Sequence, residues 1–497
     1  MHARIVPLAS AALLLALAAP RSADACGGGV FYEQSSPAQV TGHRVVISMS
    51  STQTVLWDQI QYQGAPESFA WVLPVKKGAR LDVATDAWIE TLDGGTTKVV
   101  SSPLVMCGGD DDSSGGCCFG GAAAGDGTRG FDDPTQGGVT VIHRETVGPY
   151  ETETITTDMG GGALTTWLQS RGYAIPSDVS PILDDYVADG FDFIALRMAP
   201  GATVDQMRPV RVVSPGAGTT FPLRMLAAGT KDKVDLILYV IAEGRMKSGN
   251  ITTVDFPHDK LSYDFDAATS NYDAVRDEAL AQSEGRVFLT TLARKGPLLA
   301  EYEQIGQGFD SYNLEVGPPA STIAEAYFRQ GAINEENDSE CAAVTSSAKS
   351  LANSGDKVVD VCPADGSPCG TAAAGEIDSR DFTCENLEDL GVALTGMHPK
   401  DVWVTRLEAR LPRAALSEDL ELVPASEEPV ERYVTAENAS NVPCDEESAA
   451  APLWSSKSTG GRPPRGPVAV LALAAGLALA ALRRLGGRPV VQPAGAR

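Results

Sequence analysis

Residues 55–75, VLWDQIQYQGAPESFAWVLPV, constrain the fold of this chain more than any other stretch. Leu56, Ile60 and Tyr62 alternate with Gln59, Gln61 and Gln63, the period of a strand with one apolar and one polar face. Residues 69–75 are apolar almost throughout, which predicts a second strand buried on both sides. Gly64 and Pro66 punctuate the connection. The stretch is therefore expected to form a hairpin that the other apolar segments cover. None of its side chains is chemically reactive.

Other segments supply that cover. Strands are predicted at 44–49 (Val45, Ile47 and Met49 on one face), 139–143, 146–157, 191–198, 233–243, 286–293 and 402–411. KVDLILYVIAE at 233–243 reads as central, and 402–411 as a late strand returning to the main sheet. Helices are predicted where Trp88 and Leu92, then Leu164, Trp167 and Leu168, then Ile182, Leu183, Tyr186 and Val187 recur at helical spacing. Residues 272–282 predict another. The first should close at Asp93-Gly94-Gly95, and the third should start with Ser180 as cap and Pro181 in its first turn. The fold class is α+β: a β-rich ectodomain with an antiparallel or mixed sheet, a few short helices and one C-terminal transmembrane helix.

The two ends predict a compartment. Residues 1–25 have a polar start, the apolar run 9–19 and Ala23-Asp24-Ala25 before Cys26, as a secretory signal peptide does. Cys26 would then be the first mature residue, and it is a lipidation candidate. Near the other end, 468–482 is unbroken apolar or small and is followed by Arg483-Arg484. A helix over 467–485 is short for a bilayer, but the stems of Arg465 and Arg483 can extend its reach. The arginines beyond it place 486–497 in the cytoplasm. Between the ends, 26–330 reads as the ectodomain with a low-complexity insert at 107–138, and 331–400 as a second, Cys-rich polar insert. Residues 401–416 bring a strand back. Residues 417–466, acidic and then rich in Pro, Gly and Ser, read as a stalk.

Charge narrows the partners. Acidic side chains outnumber basic ones 65 to 39, a formal net charge of -26, and such a surface repels phosphate backbones. Nucleic acid is excluded as a partner; the membrane, through the C-terminal helix, and an extracellular or periplasmic ligand remain.

The nine cysteines of an exported chain are expected to form disulfides. The candidates are Cys107, Cys117, Cys118, Cys341, Cys362, Cys369, Cys384 and Cys444, whose inserts hold too few apolar residues to order by burial. Asp110, Asp112 and Ser114 open like a calcium loop, with Gly115 for the turn, but Gly121 stands where the bidentate acid belongs. Calcium is the one cofactor this suggests. No metalloprotease, nucleophile-elbow or phosphate-loop motif occurs. His43, His143, His258 and His398 are widely spaced; His143 with Glu145 and His258 with Asp259 are the pairs that proximity suggests for acid–base work. Asp184 and Asp185 read as the wet side of their helix. Trp57, Trp71, Trp88, Trp167 and Trp403 read as core, any exposed one being a candidate aromatic platform.

GAPESFAWVLPV, LTTWLQSRGYAIP, PILDDYVADGFDFIALRM and TRLEARLP together resemble the bacterial domain of unknown function 2330. That resemblance covers roughly 25–430, apart from the two inserts. It implies an exported protein whose mature chain starts near Ala25-Cys26-Gly27-Gly28, often with a membrane helix at its end, and it brings no catalytic residues. The expectation is an anchored, non-catalytic envelope protein for binding, adhesion or envelope structure. An extracytoplasmic hydrolase assembled only in the fold and a calcium-dependent interaction module are the alternatives.

Overall fold

Lys233–Glu243 sends Leu236, Leu238 and Val240 to one side and Tyr239 and Ile241 to the other, and all five are buried. A strand apolar on both faces needs a sheet neighbour on each edge and a packed layer on each face. The computed structural model shows how both demands are met. It describes residues 23–24, 29–31, 39–63, 70–104, 139–173, 175–202, 206–228, 230, 232–295, 357–362, 368–382 and 388–442.

In chain order, the strands of the two large sheets are β1 (Gly29–Phe31), β2 (Gln39–Met49), β3 (Gln53–Gln63), β4 (Ala70–Val75), β5 (Arg80–Val83), β6 (Val139–Val147), β7 (Tyr150–Thr157), β8 (Asp192–Met198), β9 (Val210–Pro215), β10 (Lys233–Glu243), β11 (Thr252–Asp255), β12 (Val287–Lys295) and β13 (Val402–Pro412). The α-helices among the described residues are α1 (Asp86–Thr96), α2 (Gly161–Ser170), α3 (Ser180–Ala188), α4 (Tyr272–Leu280) and α5 (Glu388–Leu394).

The main sheet has eight strands in the order β11-β12-β13-β10-β2-β3-β9-β5. It is mixed: β10 runs parallel to β2, and β11 to β12, while the other neighbours are antiparallel. The second sheet has five strands, β1-β4-β8-β7-β6, all antiparallel. Val45, Ile47, Leu56, Leu238 and Val212 of the first sheet meet Trp71, Leu73, Ile194 and Leu196 of the second in one apolar core. The far face of the main sheet packs on α1 and α5 through Trp88, Ile89, Leu92, Leu390 and Leu394. The far face of the second sheet packs on α2 and α3 through Leu164, Trp167, Leu168, Leu183 and Tyr186. The result is four layers, helix–sheet–sheet–helix.

This β-rich architecture with few helices agrees with the sequence, but several local expectations change. The predicted hairpin at 55–75 does not form. β3 pairs with β2 and β9 in the main sheet, whereas β4 pairs with β1 and β8 in the second. Two strands only six residues apart in sequence face each other across the core here instead of sharing an edge. The first of them is buried on both faces over Val55, Leu56 and Trp57, because α1 and α5 cover the face that its glutamines suggested was open. Helix α1 runs through Gly94 and Gly95 to Thr96. Pro181 does lie in the first turn of α3, but Ser180 gives that helix no side-chain cap; its hydroxyl hydrogen-bonds that of Thr165 on α2 at 3.0 Å.

The largest correction concerns the predicted stalk. Leu420–Pro424 is a strand between Gly218–Phe221 and Met246–Ser248, with Leu420 and Leu422 buried. Tyr433–Thr435 and Asn438–Ser440 pair in parallel with Val99–Ser101 and Ser262–Asp264. Period-two alternation in LELVP outweighs the acidic composition that suggested a solvated linker. Similarly, the polar insert at 331–400 ends in α5, whose Leu390, Ala393 and Leu394 belong to the core. No helix among the described residues is long and apolar enough to cross a membrane, and residues 467–485 lie outside them.

Gly396 shows how tightly the end of α5 sits on the sheet. Its φ is +84°, and a Cβ there would overlap the hydroxyls of Ser50 and Thr52 in the β2–β3 turn. Gly396→Ala is expected to lower unfolding stability by at least about 1–3 kcal/mol, the scale of a strained left-handed residue, in urea titration.

Candidate functional site

Two networks of charged side chains lie under the helices of the main sheet. At the first, Asp389 on α5 is almost fully buried. Its Oδ1 accepts from Arg211 Nη1 of β9 at 2.8 Å and from Trp57 Nε1 of β3 at 2.8 Å. Burial pushes the Asp389 carboxyl above its ordinary range, against the pull of Arg211 and the Trp57 N–H. Arg211 also reaches the half-exposed Asp82 and Glu388 at 2.8 and 2.6 Å. Three segments far apart in sequence are thus tied at one carboxylate.

The second lies around the C-terminus of α1, where exposed carbonyls carry the negative end of the helix dipole. No basic residue lies in the last turn of α1. Two arginines from elsewhere serve instead: Arg406 of β13 donates to the Asp93 carbonyl at 3.3 Å and pairs with its carboxylate at 2.9 Å, and Arg432 donates to the Gly94 carbonyl. Tyr239 of β10 donates its hydroxyl to Asp93 at 2.7 Å, and burial raises its pKa well above the usual phenol range. Arg406 Nε also donates to Glu408 at 2.9 Å, whose other oxygen takes Arg276 of α4 at 2.7 Å.

Beside this network stands a different kind of pair. Lys98, two residues past α1, donates from Nζ to His258 Nε2 at 2.9 Å and to the Glu431 carbonyl, with the Phe256 ring centroid 5.2 Å away. An ammonium can only donate, so Nε2 is the acceptor and the His258 proton sits on Nδ1. Burial lowers the Lys98 pKa to about 8, against Glu431 and Glu408. Burial and then the Lys98 charge lower that of His258 to about 4, against Asp255 and Asp259. Both shifts disfavour a charged form that is short of counter-charge. Perturbed neighbours of this kind mark candidate functional sites.

The remaining sequence candidates fall apart in space. His43 Nδ1 donates to Asp58 at 2.9 Å, fully buried on the sheet-to-sheet side of the main sheet. His143 pairs with Glu145 at 3.2 Å, exposed on β6, as proximity suggested. His398 pairs with Glu243 at the end of β10 at 2.9 Å. His258 takes Lys98 rather than Asp259 as its bonded partner. The four histidines therefore have four separate settings. Asp185 lies on the wet side of α3 and pairs with Arg224 at 3.2 Å. All five tryptophans of interest are buried, so none offers an exposed platform.

Cys362 and Cys369 form a disulfide. Cys26, Cys107, Cys117, Cys118, Cys341, Cys384 and Cys444, and the calcium candidates Asp110, Asp112 and Ser114, lie outside the described residues. Among the described residues, no group of three or more His, Cys, Asp or Glu side chains is placed to hold a metal ion. The sequence reading missed Lys98, Arg211, Arg406 and Arg432. Arg406 and Glu408 were legible as one face of TRLEARLP, but only the fold lays α1 over that face.

Asp389→Leu should leave Arg211 only its half-exposed partners Asp82 and Glu388 and leave the buried Trp57 N–H without its acceptor, at a cost of about 1–3 kcal/mol in urea denaturation. Adding Arg211→Met should recover only part of that loss.

A search of curated proteins and one of solved structures each found no match. A family model does match, over residues 20–423, and it spans the two sheets and both charged networks except Arg432. The chain belongs to DUF2330, a family described as an uncharacterized protein conserved in bacteria.

Proposed function

We propose that this chain is an exported protein of the bacterial envelope, tethered by residues 467–485, whose body binds an extracytoplasmic ligand or builds surface structure without catalysing a reaction. The observation that carries the reading is the Cys362–Cys369 disulfide. Reducing systems keep cytosolic thiols unpaired, so a structural disulfide suits an oxidising compartment. The signal-like residues 1–25 and the apolar run 468–482 support the same compartment. The non-catalytic part of the reading rests on how the interior charges are used. Asp389, Glu408 and Asp93 are each held by arginines from distant segments, as ties in a scaffold are.

Fractionation of cells making the full chain tests the proposal. The protein should sediment with membranes, be digested by protease added outside the cytoplasmic membrane, and keep Cys362 joined to Cys369 in alkylation mass spectrometry. Deleting residues 467–497 should release it from the membrane fraction. Recovery of the full-length chain from the cytosol with both thiols alkylated would overturn the reading.

A further inference from the structure

We propose that the Lys98–His258 hydrogen bond is an acid-sensitive clasp that holds the C-terminal strap, residues 431–440, against the body. The strap joins two strands that are otherwise far apart in sequence. Tyr433–Thr435 pairs with Val99–Ser101, and Asn438–Ser440 pairs with Ser262–Asp264. Lys98 immediately precedes the first of these strands, and His258 precedes the second by four residues. Lys98 also grips the strap itself through the Glu431 carbonyl. One ammonium thus connects all three segments at their point of convergence.

The clasp differs from the nearby ion pairs in having no carboxylate bonded to its ammonium among the described residues. Among the described residues, Lys98 makes its contacts to an imidazole, a carbonyl and an aromatic face. The charged groups around it are Glu431 and Glu408 near Lys98, and Asp255 and Asp259 near His258. Asp255 is itself engaged by Arg245. Below about pH 8 Lys98 is a cation, so a protonated His258 would place two positive charges 2.9 Å apart.

Opening lets the imidazole regain its ordinary value near 6.5 from about 4. Between those values the open form binds more protons than the closed one, so the His258 contribution to closure is fully present above pH 6.5 and is lost as pH falls toward 4. From pH 7 to 5 the opening equilibrium should rise by roughly five- to twentyfold, the lower figure allowing for solvent screening of a half-buried ring.

Hydrogen exchange on the full chain reads this directly, as protection factors corrected for the intrinsic effect of pH. Between pH 7 and 5, protection at 433–440 should fall by that factor while β10 keeps its own. In His258→Gln, whose side-chain carbonyl accepts from Lys98 without titrating, strap protection should change less than twofold. An undiminished strap at pH 5, an equal fall in the variant, or a fall that extends to β10 would each overturn the proposal. NMR titration of His258 in the unaltered protein gives an independent check: a midpoint below about 5 supports the clasp, and one near 6.5 refutes it.

Discussion

Burial of the main sheet on both faces is the constraint on which the rest of this structure depends. A surface sheet needs one apolar face; β10, β2 and β3 need two, and their residues alternate between two separate cores. Each fully buried aliphatic or aromatic side chain contributes about 1.5–3 kcal/mol relative to exposure, so neither covering layer is dispensable. The second sheet covers one face and α1 with α5 the other. Since α5 lies some 150 residues beyond β10 in the chain, the sheet is complete only when the late part of the sequence has returned.

That geometry also explains how charges are used inside. Where both faces are covered, a main-sheet arginine or carboxylate such as Arg211, Arg406 or Glu408 is buried and must find a partner. Asp389, Glu408 and Asp93 each collect donors from segments distant in sequence. Buried pairs of this kind add little net stability, because desolvation offsets their attraction. Their physical effect is on register: α1 and α5 can slide along an apolar face at small cost, but not past a fixed guanidinium. Arg406 and Arg432 do this for α1 by neutralising its C-terminal dipole end from outside the helix.

The C-terminal segment is tied by the same means. Asp419 takes Arg224 at 2.7 Å and the Tyr186 hydroxyl from α3, and burial with the Asp419 charge raises that phenol's pKa. Further along, Ala293 and Val430 form a bridge, and Arg432 is buried. Residues 419–432 are thus bound to α3, to the main sheet and to α1.

Residue pattern alone determined many of the elements. The 11-residue strand at Lys233–Glu243, the helix around Trp167 and Leu168, the return strand at 402 and the family resemblance were all legible, because period and β-branched content report local geometry. Partnership was decided only in three dimensions. The sequence could not show that β3 and β4 part into different sheets, since a short loop serves a hairpin and a crossing between layers equally well. It could not show that Leu420 is covered or that Lys98 meets His258 across 160 residues, because neither periodicity nor composition encodes which distant surface arrives. Tertiary structure settles these through the one demand no local pattern expresses: every buried face and every buried charge must find its complement.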